Sequence, residues 1–356
     1  MLARRCLPIA LAIGALACAD DGLQPTEPES MPASAALVPG ETWEVLSISA
    51  SESGAWAMDI NDAGTIVGYR INDQGVHHTF RHHAGVMTIF AGGPGTRMSA
   101  NAINEAGQIA GSTLVNGTYE AYVRQADGDV DLLPHFGDSE TANLAFAIND
   151  VGEVAGMTSD YRGLRWSVAI GGWLVHPLGI VLNRPVMHVH DINNAGWIVG
   201  GVSDQYGRSE AFVQRPGGPI EQIGSLGNKS TAWSINNFGK VLGGSNVIGG
   251  EPRYFTWTSF GGMQAESGTG SWTDRGVISD KGRIAGVDMI NGRERAFTVY
   301  QGIHNVLPLV PNGRHSRAYG VNSCGTIVGT VKTSDGTIHA VRWRRVVGKQ
   351  ASAICD

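Results

Sequence analysis

The chain has 356 residues, 50 of them glycine, with 16% charged residues and a formal net charge of −6. So much glycine and so little charge suit a turn-rich β protein and argue against a helical array or a disordered chain. The acidic balance gives no electrostatic reason to expect a nucleic-acid partner, and beyond the amino terminus no apolar run reaches the roughly 18 residues of a membrane-spanning helix.

In chain order, residues 1–17 read as a secretory signal. MLARR supplies positive charge, CLPIALAIGALA is a short apolar region, and small residues precede Cys18. Ala15-Leu16-Ala17-Cys18 resembles a bacterial lipoprotein box, although Ala15 and Leu16 depart from its usual leucine and small residue. The resemblance implies lipidation of Cys18, and Ala19 after it implies sorting to the outer membrane. Plain cleavage after Ala17 or Ala19, giving a periplasmic or extracellular protein, is the other reading. Membrane contact is expected only through an N-terminal lipid. Residues 18–41 are rich in Pro, Ser and Glu with no apolar period, and so form an extended, solvated tether.

From residue 42 to 346 one unit repeats. INDAGTIVG at 60–68 returns as INEAGQIAG, INDVGEVAG, INNAGWIVG, INNFGKVLG, ISDKGRIAG and VNSCGTIVG, starting at 103, 148, 192, 235, 278 and 321. The period is 43–45 residues. In each copy the asparagine, or Ser279, suits the first position of a type I turn. The glycine three residues on supplies the left-handed conformation that closes the hairpin with a bulge.

Glycine-containing turns follow at 72–75, 116–117, 161–163, 204–207, 249–250, 291–292 and 335–336. Each leads into a strand around an apolar anchor: Phe80, Tyr122, Trp166, Phe212, Phe255, Phe297 or Val341. A further apolar stretch completes the unit, as in VMTIF at 86–90. Four short antiparallel strands per unit, seven times over, predict an all-β, seven-bladed propeller. The last unit lacks a clear fourth strand, and WEVLSIS at 43–49 has no partner in its own unit. The N-terminal strand is therefore expected to close the ring. A solenoid is the second choice. Residues 347–356 are a C-terminal tail. If the inner strand carries A-x-x-I-N, its alanines (Ala57, Ala100, Ala145, Ala232, Ala318) suit crowding near the axis.

These residues resemble the HAF repeat of bacterial extracellular proteins, with its HAF-x-W stretch, a leucine-glycine stretch, and A-x-x-I-N-x-x-G-x-I-x-G. Ile338-His339-Ala340-Val341-Arg342-Trp343 matches the first part; Glu210-Ala211-Phe212 and Arg295-Ala296-Phe297 do so without its histidine. Ile223-Gly224-Ser225-Leu226-Gly227 matches the middle, and Ala232-Trp233-Ser234-Ile235-Asn236 begins the last part. The resemblance covers about residues 43–345. It implies export and a repeat fold, and no established reaction, so no catalytic residue is carried over.

Candidate chemistry is sparse. HHTFRHH at 77–83 is the densest histidine cluster, but alternation splits its histidines between two strand faces, and exposed edge residues are the plainer reading. His188 and His190 could chelate from one face, without an evident third ligand. Asp127, Asp129 and Asp131 lack the glycine turn and glutamate of a calcium loop. No nucleophile elbow, phosphate loop, zinc-protease motif or paired-cysteine motif appears, and no cofactor is expected. Cys6 leaves with the signal; Cys324 and Cys355 could pair in an oxidising compartment, or remain two free thiols.

The segments entering each inner strand differ instead: Arg97, His135, Glu140, Arg184, His188, Lys229, Trp272, Asp274, His315 and Arg317. Polar, charged and aromatic residues at a concave mouth mark a binding site, while solvated loops would read alike. The expectation is a monomeric, exported, non-catalytic binding propeller that offers this loop face to a protein or glycan. The alternative is a propeller hydrolase or lyase acting on an extracellular glycan with carboxylates and histidines at the channel mouth.

Overall fold

The structure, a computed structural model, describes residues 42–48, 54–90, 98–137, 141–179, 181, 186–266, 275–347 and 350–351. Cys18 and Cys355 therefore lie outside the described residues, as do Arg97, Glu140, Arg184, Trp272 and Asp274.

Six antiparallel sheets of four strands follow one another along the chain, at 54–90, 98–132, 143–177, 186–224, 230–265 and 277–306. The seventh comprises the strands Gly313–Val321, Ile327–Thr333 and Ile338–Val347 and, at its outer edge, the N-terminal strand Thr42–Ser47. Gln350–Ala351 adds a short strand against the end of Ile338–Val347. Thr42 pairs with Val346 and Ser47 with Val341, so the first strand of the chain supplies the fourth strand of the last blade. The chain is a seven-bladed β-propeller, its ring closed by the N-terminal strand.

The turn that repeats has the expected geometry. In blade one the Asn61 side-chain oxygen accepts from the Thr65 amide at 2.9 Å, and its backbone carbonyl accepts from the Gly64 amide at 3.0 Å. Gly64 stands at φ 75°, which a side chain would strain. The second set of turns is less uniform. In blade three the positive φ falls on Tyr161 (65°) rather than on the glycine of YRG, and Gly163 begins a strand.

Seven hydrophobic clusters among the described residues each join two neighbouring blades. The seven anchors, from Phe80 to Val341, are all buried, each contributing on the order of 2 kcal/mol. The alanines sit in these seams and not at the axis. Ala57, Ala145, Ala232 and Ala318 are fully buried against the adjacent blade, where a larger side chain would hold the sheets apart.

What reaches the axis is set by a bulge. Ala57 pairs with Gly68 and Asp59 with Val67, leaving Met58 unmatched. The same register shift leaves Asn101, Phe146, His190, Trp233 and Tyr319 unmatched in five other blades. A bulge inserts one residue and re-aims its neighbours, so these variable residues border the channel, Trp233 packing at the same time into the seam between blades five and six. It also explains the last glycine of the motif. A Cβ on Gly68, Gly111, Gly156, Gly200 or Gly329 would collide with a carbonyl oxygen of the bulged strand beside it.

Candidate functional site

The inner strands begin at the loop face and end at the IN-x-x-G turns on the turn face, and each face carries a cavity.

At the turn face a funnel of about 280 Å³ runs into the channel. Its rim carries Asp62, Glu105, Asp150, Asn194, Asn237 and Asp280. These side chains are stapled from blade to blade: the Asp62 amide donates to Glu105, the Glu105 amide to Asp150, and the Asp150 amide to Asn194. Deeper in, the Asp59 carboxylate accepts from the amides of Ile60 (2.8 Å) and Ile103 (2.9 Å). Asp191 repeats this with Ile192 (2.8 Å) and Ile235 (2.9 Å).

Burial pushes Asp59 up to about 7 against the pull of those two amides, with repulsion from Asp191 and Glu105 adding to it. Burial likewise lifts Asp191 to about 6. Burial, with Arg275 nearby, depresses His190 to about 3, and its Nδ1–H donates to the Ala232 carbonyl at 2.7 Å. Arg275 reaches into the lumen, 5.7 Å from the centre of the Phe146 ring in blade three. The funnel is thus a braced structural ring whose acidic oxygens are already engaged by backbone amides.

At the loop face a second cavity, of about 500 Å³, lies where blades six, seven and one meet. Trp56 of blade one forms one wall. It stacks on Tyr69 (4.9 Å between centres, 13° between planes), and Tyr69 stacks on His77 (5.9 Å, 11°). Register makes this stack: Trp56 faces Tyr69 across one ladder, so the rings project from one side of the sheet. Blade seven contributes His315, Arg317 and Lys332 to the lining. Glu294 of blade six accepts two hydrogen bonds from the Arg317 guanidinium, one of them 2.9 Å from Nε. Tyr319 borders both cavities, and burial raises its hydroxyl above the ordinary range.

Five of the loop-face residues named from sequence are described, and they separate. His315 and Arg317 share the loop-face cavity. His135 pairs with Glu120 and bonds the Thr141 carbonyl (3.1 Å) between blades two and three. His188 packs edge-on against Tyr161 at 5.1 Å, and burial lowers its pKa. Lys229 receives its local order from Asn246, whose side chain accepts the Lys229 amide at 2.7 Å.

The histidine run also differs from expectation. His77–His83 is an interior strand, paired on both sides, and His82 is buried, with desolvation lowering its pKa. Among the described residues no three His, Cys, Asp or Glu side chains group as metal ligands would. Cys324 is disulfide-bonded.

Sequence reasoning missed Trp56, Tyr69, Glu294, Lys332 and Tyr319. Trp56 and Tyr319 sit inside the repeated strand, at positions that vary between copies. Ala57 and Ile60 are three apart and both buried, a spacing that a straight strand cannot give. That spacing was the available sign of the bulge.

No protein-family model and no curated protein matches the chain. Solved structures do. A streptogramin B lyase matches at 10% identity and TM-score 0.60, over 86% of this chain and 99% of that one. A catalytically inactive virginiamycin B lyase variant from Staphylococcus aureus with quinupristin matches at 9% identity and TM-score 0.55, over 85% and 99%. The β-propeller domain of the Trilobed protease from Pyrococcus furiosus matches at 9% and 0.53, over 85% and 98%. At such identities the likeness shows the fold alone.

Proposed function

We propose that the chain is an exported, lipid-anchored, non-catalytic propeller of the HAF-repeat kind that holds a glycan in its loop-face cavity. The observation that carries this is Trp56, fixed by stacking on Tyr69 and lining a cavity of about 500 Å³ together with hydrogen-bonding side chains. A sugar ring offers C–H groups to an aromatic face and hydroxyls to polar neighbours. A wall of that kind, in a cavity within the ordinary ligand range, suits it.

The commitments of the carboxylates support binding over catalysis. Glu294 is engaged by Arg317, and Asp59 and Asp191 are engaged by backbone amides, whereas glycoside chemistry needs two carboxyl groups placed for acid and base work.

A glycan array probed with the whole chain and with Trp56→Ala tests the reading. Selective binding by the wild type that drops at least tenfold in the variant supports it; hydrolysis or elimination of a bound glycan contradicts the non-catalytic part. Export and anchoring rest on residues 1–18. A fatty-acid label present in the wild type and lost in Cys18→Ser supports them, and a label that persists in the variant rules out lipidation at that residue.

A further inference from the structure

We infer that the glycan held at the loop face is acidic, carrying a carboxylate of the uronic-acid class; this rests on the reading of that cavity as a glycan site. The charges around the cavity are its reason. His315 pairs with Lys332 and Arg317 with Thr330 across the first two strands of blade seven. Directly paired residues place their Cβ atoms about 5 Å apart on one face of the sheet. The four side chains therefore form a two-by-two patch with three nitrogenous groups in it. All four border the cavity.

Against them stands Glu294, the one carboxylate lining the cavity among the described residues. It is held by Arg317 through two hydrogen bonds, which neutralises one charge and fixes the guanidinium plane. Lys332 is exposed and, among the described residues, has no ion-pair partner. Among the described residues the cavity lining thus carries a net positive charge, in a chain whose formal charge is −6. Cationic side chains and a tryptophan lining one cavity select a ring with an apolar face and an anionic substituent. A neutral sugar would leave the ammonium of Lys332 without a counter-charge, and a basic one would be repelled.

The geometry also sets the roles. Trp56 supplies the stacking wall, Lys332 the attraction to the carboxylate, and the Glu294–Arg317 pair a rigid floor. Loss of Trp56 should weaken every sugar alike, whereas changes at Lys332 should act on acidic sugars and be screened by salt.

The test uses oligogalacturonide, oligomannuronate and hyaluronan oligosaccharides. Each is titrated by calorimetry beside its carboxyl methyl ester, which keeps the ring and removes the charge. The expected result is that at least one acid binds ten times or more tighter than its ester to the whole chain. That preference should shrink in 0.5 M salt and vanish in Lys332→Glu, whose thermal midpoint serves as the folding control. Equal binding of acid and ester, with loss in Trp56→Ala, overturns the acidic specificity and leaves the glycan site standing. A preference that survives Lys332→Glu also overturns the assignment. Binding of no acid and no ester, with no glycan bound on a neutral panel, overturns the site itself.

Discussion

Asn322 donates its side-chain amide to the backbone carbonyl of Asn61, 3.1 Å away and 261 residues distant in the chain. The same bond joins Asn61 to Asn104, Asn104 to Asn149, Asn149 to Asn193, Asn193 to Asn236, and Asn236 to the carbonyl of Ser279. One residue type therefore does two jobs. Its oxygen shapes the local turn, and its nitrogen ties each blade to the next. Ser279 keeps the first job, accepting from the Arg283 amide at 3.1 Å, but has no amide for the second.

The two jobs are separable at Asn149. Asn149→Ser should retain the turn and lose the bond to Asn193, costing about 1 kcal/mol; Asn149→Ala should lose both, costing about 2–3 kcal/mol. Urea denaturation of the two variants checks this: an Asn149→Ser variant as stable as the wild type would mean that the inter-blade bond contributes nothing, and equal losses in the two variants that the turn bond contributes nothing.

Gly156→Ala should cost more than about 3 kcal/mol, because the added Cβ meets the Leu144 carbonyl and the Trp166 ring with nowhere to move. Gly171→Ala, on an open turn at φ 99°, should cost less, since it adds strain without a clash. Thermal melts that rank them the other way would refute the close-approach account of the motif's last glycine.

Truncation through Ser47 bares the edge of Ile338–Val347 and removes Trp43 and Val45 from the packing between blades six and seven. Bared strand edges recruit other chains, so the truncated protein should oligomerise on size-exclusion chromatography. A monomer of unchanged melting temperature would contradict closure by the N-terminal strand.

The lumen makes stability depend on pH. Unfolded Asp59 titrates near its ordinary 3.8 and folded Asp59 near 7, so between these values the native state holds the extra proton. Its contribution therefore falls as pH rises through that window. Asp191, raised to about 6, acts in the same direction, while His190, lowered to about 3 from 6.5, acts in the opposite one. Above pH 6.5 the Asp59 contribution dominates these three. Between pH 6 and 8 the wild type should lose on the order of 1 kcal/mol more than Asp59→Asn, measured by denaturant titration. Parallel losses would contradict the raised carboxyl.

Non-reducing peptide mapping is expected to recover Cys324 and Cys355 as one linked pair; recovery of Cys324 with another cysteine, or as a free thiol, would contradict that pairing.

The ring was legible because its signals are local. A turn asparagine, a left-handed glycine and an apolar anchor recur at a fixed period, and each is decided within a few residues. Closure was legible from a strand too many at one end and one too few at the other. The site was less so. His315 and Arg317 could be named from where they enter the seventh inner strand, but Trp56, Glu294 and Lys332 join them only once blades one and seven meet. Nothing in the linear pattern brings residue 56 beside residue 317. The loops also drew attention away from the bulge positions, where Tyr319 and Trp233 vary within a motif that otherwise looks constant.

The most direct measurement is a crystal structure of the whole chain with the tightest-binding oligosaccharide from the array. A sugar ring is expected against Trp56, with a substituent within hydrogen-bond reach of Lys332 or Arg317. A sugar seated instead in the turn-face funnel, among Asp62, Glu105 and Asp150, would contradict it.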